Sequence, residues 1–146
     1  MNRIPPMRPL VALLLAAAVL APLPAAAQAR FEGRWTILGI DDASPTKEGG
    51  EWIGRAIVFS RGAVEAPSPL DCEKPAYEIV RSPPQGLFQG SMSEAEALAF
   101  AKRRNITGEV ETLRVTCGSG VFDYHAVGQR LTIMLDGVIY VLGRGG

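Results

Sequence analysis

EVETLRVTCGSGVFDYHAVGQRLTIMLDGVIYVL, residues 109–142, decides the fold. Its apolar residues gather into short runs, Glu109 to Cys117, Val121 to Val127, Leu131 to Leu135 and Val138 to Leu142. Runs rich in β-branched and aromatic residues fit a pleated, half-buried surface. Between the last two stands Asp136-Gly137, a pair suited to a type I′ turn, where both central residues need positive φ. These are hairpin signals.

The rest of the chain keeps the same rhythm. Phe31 to Leu38 reads as a first strand, with Phe31, Trp35 and Ile37 among its core candidates and Gly33 marking a bulge or close backbone approach. Asp41 to Gly50, with Pro45 and Gly49-Gly50, is a loop. Trp52 to Phe59 is a second strand, and Ser60-Arg61-Gly62 turns it into Ala63–Ala66 as a hairpin. Pro67, Pro69 and Pro75 make the next segment irregular, with Cys72 inside it. Tyr77–Val80 and Leu87–Gly90 read as short strands separated by Pro83-Pro84 and Gly86.

One helix interrupts the pattern. Ser91 with Glu94 and Ser93 with Glu96 form overlapping capping boxes. Ala95, Leu98, Ala99 and Lys102 follow at helical spacing, and Asn105 is a C-terminal stop. So short a helix needs tertiary packing to persist, and it is expected to cover one end of a sheet. The expected fold is mainly β: a small antiparallel barrel or sandwich of about 8 strands with one short covering helix. Closing a barrel would also hide strand edges from aggregation.

The first 27 residues read differently. Arg3 and Arg8 precede the apolar run Leu10–Ala21, Pro22 and Pro24 break it, and Ala25-Ala26-Ala27 gives an A-x-A-like cleavage site before Gln28. A spanning helix needs roughly 20 apolar residues, more than this run offers. Residues 1–27 are therefore expected to be a signal peptide and 28–146 a single β-barrel-like domain, periplasmic or secreted, with no stable membrane insertion after cleavage. No cysteine near the cleavage site invites lipid attachment.

The chain carries 15 basic and 15 acidic residues; without Arg3 and Arg8 the basic count is 13. That mild acidic bias lacks the basic stripe of a nucleic-acid binder, so no nucleic-acid partner is expected. Cys72 and Cys117, an even pair in an oxidising compartment, read as a disulfide. A redox pair would prefer Cys-x-x-Cys, and zinc would want further Cys or His close by. No cofactor and no metal is expected.

His125 is the sole histidine, and Asp123 shares its strand face. Such a pair could poise a general base, with Tyr124 or Glu111 assisting. It could equally be a half-exposed strand surface, with Phe122, Tyr124 and Ala126 turned to the core. A catalytic triad would also need a positioned nucleophile, and no Gly-x-Ser-x-Gly elbow occurs. A metal would want three or four ligands, and this pair offers two. Glu94 and Glu96 diverge by about 200° on a helix and cannot share a substrate. Lys102-Arg103-Arg104 could meet an anion, although cations at a helix C-terminus need no partner to be favourable. Trp35, Trp52 and Phe59 could line a ligand cavity or simply belong to the core. Asn105-Ile106-Thr107 fits a glycosylation acceptor, not expected to be used behind a bacterial-style leader. Gly118-Ser119-Gly120 is too short to cradle phosphate.

Ala56-Ile57-Val58-Phe59, Cys72, Tyr77, Thr116-Cys117 and Leu131-Thr132-Ile133 follow one another in an order that resembles the META/HslJ-like domains of bacterial envelope proteins. That family favours Asn after its first cysteine, where Glu73 stands here. Gly33-Arg34-Trp35 is similar to the Gly-x-Trp opening of lipocalin-like barrels. The likeness is one of layout, and it carries no functional residue across. The expectation is a non-catalytic binding module, not an enzyme. It would hold a small apolar ligand through Trp35, Trp52 and Phe59, or block an envelope protein through the proline-braced loop Pro67–Pro75. The rival readings are a small hydrolase or isomerase using Asp123 and His125, and a structural envelope-stress protein.

Overall fold

The computed structural model describes residues 29–145; the signal-peptide reading of residues 1–27 lies outside them. Nine antiparallel strands form one sheet, curled into a half-barrel. They are β1 (Gly33–Ile40), β2 (Ala56–Phe59), β3 (Ala63–Glu65), β4 (Cys72–Glu73), β5 (Ala76–Ser82), β6 (Val110–Cys117), β7 (Gly120–Val127), β8 (Arg130–Leu135) and β9 (Val138–Arg144). Their order is β4-β3-β2-β1-β9-β8-β7-β6-β5. The two-residue β4 has no counterpart among the expected runs, since the segment around Cys72 reads as irregular.

Turn chemistry sets the registers. Asp136 and Gly137 adopt φ of 50° and 81°, both positive as a type I′ turn demands, and they close the β8–β9 hairpin at Leu135↔Val138. Gly118-Ser119 closes β6–β7 at Cys117↔Gly120, and Gly128-Gln129 closes β7–β8 at Val127↔Arg130. β9 lies beside β1, with a register shift between Ile37 and Gly39 that brings Ile40 back toward the interior.

Alternation puts Trp35, Ile37, Ile57, Phe59, Leu113, Tyr124, Ile133 and Leu142 on the concave face, all buried. Phe59 meets Tyr124 edge to face at 4.9 Å between ring centroids. The ends of the sheet, β4 and β5, do not pair. Their seam is held by the Cys72–Cys117 disulfide (Cα–Cα 5.6 Å) and by the Tyr77 hydroxyl, which donates to the carbonyls of Ser60 (2.6 Å) and Ala63 (3.2 Å). At the far end of β1, Trp52 stacks on Tyr140 at 5.1 Å. A side chain at Gly49 (φ 96°) would collide with the Tyr140 hydroxyl, so that close approach requires glycine.

A second core lies on the convex face. Helix α1 (Glu94–Arg103) packs Ala97, Phe100 and Ala101 with Leu87 and Phe88 over Val110 and Ile139. The helix thus covers the outside of the sheet, not one end of it. Its buried face also differs from the expected one: Leu98 is 48 % exposed, and Ala95 and Ala99 are exposed too. Phe100 offers the largest apolar surface and turns inward. Ser93 and Glu96 form the capping box; Ser91 with Glu94 does not. Leu87–Gly90 is no strand, because Phe88 at φ 55° cannot sit in an extended ladder. A turn at Pro84–Gly86 instead drops Leu87 and Phe88 into the second core. Asn105 ends the helix at φ 55°.

Candidate functional site

β7 turns Asp123 and His125 outward, toward the layer formed by α1 and the preceding loop. His125 is 1 % exposed, not half-exposed as a bare strand surface would be. The backbone N–H of Phe88 donates to its Nε2 at 3.2 Å, and the Phe88 ring meets the imidazole edge to face at 5.0 Å. Because Nε2 accepts, the proton sits on Nδ1 and is donated to Thr112 Oγ1 at 2.7 Å. Thr112 Oγ1 in turn lies 2.8 Å from Ser82 Oγ. Burial pushes the imidazole pKa down to about 4; the Asp123 charge opposes this and Arg114 adds to it. The ring is neutral near pH 7, and both nitrogens are engaged inside the protein.

Asp123 does not form a dyad with His125. Arg114, its cross-strand partner, donates to both carboxylate oxygens at 2.8 Å, and this carboxylate raises the pKa of Arg114. Tyr124 points the other way into the concave core, where burial pushes its phenol pKa upward. Glu111 pairs with Arg30 and, at 3.9 Å, with Arg81. The four residues of the catalytic alternative are therefore committed to separate contacts.

His125 forms part of the floor of a recess of about 250 Å³. Val121–Asp123 of β7 stand on one side, Ile133–Leu135 of β8 on the other, and Phe88, Gln89 and Ser91 lie above. A second recess, of about 350 Å³, lies between Phe100, Arg104, Arg130 and Val141. There Arg104 donates to Asp41 (3.0 and 2.5 Å) and Asp42 (2.7 Å), fixing the helix end to the loop after β1. Those contacts account for one cation of the Lys102-Arg103-Arg104 cluster. Thr132 Oγ1, beside this recess, is buried without a hydrogen-bond partner.

The aromatic candidates do not converge. Trp35 is buried, its indole N–H donating to the Phe31 carbonyl at 2.8 Å, with the Arg144 guanidinium 4.2 Å from its ring centre. Phe59, on β2 opposite Gly33 of β1, lies at the same end as Trp35, whereas Trp52 sits at the opposite end on Tyr140. The space bounded by Phe31, Phe59, Tyr77 and Leu113 is about 10 Å³, at or below what one water needs. Among the described residues no group of three or more His, Cys, Asp and Glu is arranged to hold a metal ion, and no helix is long and apolar enough to cross a membrane.

Sequence reading missed Ser82, Thr112 and Phe88, the residues that complete the His125 network. Gly118-Ser119 held the missing signal for Thr112: a two-residue turn there sets the register that places Thr112 opposite His125. Nothing local announced Phe88.

No family model, no curated protein and no solved structure matches the chain. The META/HslJ-like and lipocalin-like resemblances rest on residue order and layout alone.

Proposed function

We propose that this protein is a non-catalytic binding module, periplasmic or secreted, whose ligand is a protein partner. One observation carries the choice: the middle of the concave face is filled by its own side chains, with Trp35 and Phe59 packed in it, and the recess of about 230 Å³ at its end, beside Trp35, Ala126 and Leu131, is bordered by the charged Arg30, Arg130 and Arg144, a poor setting for an apolar ligand. The sealed imidazole of His125 and the carboxylate of Asp123 held by Arg114 argue in the same direction. The Cys72–Cys117 disulfide fits an oxidising compartment.

The contact surface of an inhibitor-like module would be the loop Pro67–Pro75. Its Leu70 is buried and the Leu70 N–H returns to the Pro67 carbonyl at 2.9 Å. Ser119 donates to the Pro69 carbonyl at 3.1 Å, and the disulfide anchors Cys72. Ser68, Pro69 and Asp71 remain exposed on this fixed frame. A loop held in place before binding loses less entropy on contact.

The test places a photo-crosslinking residue at Asp71, and for comparison at Gln85, in the exported oxidised protein. One discrete adduct from Asp71 alone supports the reading. A stoichiometric apolar molecule retained in native mass spectrometry would overturn it, as would a catalytic turnover abolished by His125→Asn. N-terminal sequencing of the exported chain tests cleavage before Gln28.

A further inference from the structure

β7 and β8 are paired only near their shared turn. The ladder runs Val127↔Arg130, Ala126↔Leu131 and His125↔Thr132, and stops. β7 extends a further five residues, Gly120–Tyr124, and β8 a further three, Ile133–Leu135, with no pairing between them. The recess of about 250 Å³ occupies this parting.

Strand geometry says which groups line it. In an antiparallel ladder alternate residues present their N–H and C=O to opposite neighbours. Val127 closes the two-residue turn against Arg130, so Val127 and His125 face β8. Asp123 and Val121 share their phase and face the gap. By the same alternation Met134 faces it from β8, in phase with Arg130 and Thr132. No loop or side-chain hydrogen bond found among the described residues reaches the backbone of Val121, Asp123 or Met134. Two unequal rows of main-chain donors and acceptors, those of Val121 and Asp123 on one wall and of Met134 on the other, therefore oppose each other across an open slot.

We propose that this slot receives an extended segment of a polypeptide partner, an alternating apolar strand bearing a lysine or arginine. The inference rests on the binding-module reading and names the site and chemistry of its partner. A backbone strand satisfies both rows at once, running antiparallel to one wall and parallel to the other. Phe88, Met134 and the 59 % exposed Val121 offer apolar contact for its alternate side chains. Asp136, exposed at the mouth, has no ion pair among the described residues, whereas Asp123 is neutralised by Arg114; the rim thus offers one uncompensated negative charge. The free edge of β7, five residues long, spans roughly 16 Å, so four or five partner residues fit. The loop Pro67–Pro75 abuts the same end, because Ser119, bonded to Pro69, lies two residues before Val121. The outer edge of β5 is the contrasting case: Glu78 and Arg81 lie on it and prolines bound it, the usual protection of an edge.

The test uses the exported, oxidised, nitrogen-15-labelled protein and a blocked six-residue peptide alternating valine and lysine. In the free protein the amides of Val121, Asp123 and Met134 should exchange with solvent at least tenfold faster than those of Phe122 and Tyr124. Saturating peptide should shift these resonances and slow that exchange tenfold or more. A fully N-methylated peptide should bind at least tenfold more weakly, and Asp136→Asn, a change at an exposed turn, should weaken binding severalfold. Slow exchange in the free protein, unmoved resonances at millimolar peptide, or equal binding of the N-methylated peptide would each overturn the slot. Adducts from Asp71 persisting alongside any of those results would remove the slot while leaving the binding-module reading in place.

Discussion

Inside the curl, Ile37, Ile57, Leu113, Ile133 and Leu142 meet Trp35, Phe59 and Tyr124 with few polar atoms among them. On the outside of the same strands, Phe88, Phe100 and Ile139 share their layer with buried Ser82, Thr112, His125 and Thr132. The inner layer is seamed by a disulfide; the outer one is covered by a ten-residue helix and an irregular loop. Apolar burial without directional demands makes the inner layer the source of the fold's stability. Hydrogen bonds that must be matched one by one make the outer layer a source of geometry, and a place where a single lost partner is felt.

The sharpest way to break this contrast is to truncate one aromatic in each layer. Phe59→Ala should cost about 3–5 kcal/mol of global stability in denaturant melts. Phe100→Ala should show most of its effect as faster amide exchange in α1 and the segment around Phe88, with the inner strands protected. Equal global losses would erase the distinction. Next in size, replacing Cys72 and Cys117 together by serine should cost roughly 4 kcal/mol, from loop closure over a separation of 45 residues. A loss confined to the outer layer would contradict the seam assignment.

Acid should act on the outer layer through His125. Its folded pKa, about 4, lies below the ordinary value of 6.5, so between these values the unfolded chain binds the extra proton. The contribution is complete above pH 6.5 and falls by about 3 kcal/mol as the pH drops toward 4. The slope of stability against pH should flatten in His125→Asn; an unchanged slope would show that other groups dominate. The smallest effect belongs to the helix cap. Ser93→Ala should cost about 1 kcal/mol, read as fraying of α1 by amide exchange.

The inner layer was legible in the sequence because its signals are local. Asp136-Gly137 named its turn, the β-rich runs Glu109 to Cys117, Val121 to Val127 and Leu131 to Leu135 named its strands, and two cysteines named the seam. The outer layer was less legible. Alanine occurs on both faces of α1, so periodicity could not choose between Leu98 and Phe100. Phe88 reads as a strand residue until its backbone turns left-handed under tertiary packing. Asp123 and His125 share a face as the alternation demands, yet the partners that decide their chemistry, Arg114 and Thr112, come from another strand. The parting of β7 from β8 left no mark in either run, since each pattern is satisfied with or without a neighbour.

The position of β9 has a consequence for assembly. Val138–Arg144 sits mid-sheet, hydrogen-bonded to Gly33–Ile40 near the other end of the described chain. A polypeptide emerging from its amino end can form the β2–β3 hairpin early. It cannot zip its central ladder until β9 emerges, and such long-range pairing is intrinsically slow. The Cys72–Cys117 bond at the seam can therefore form before the sheet closes.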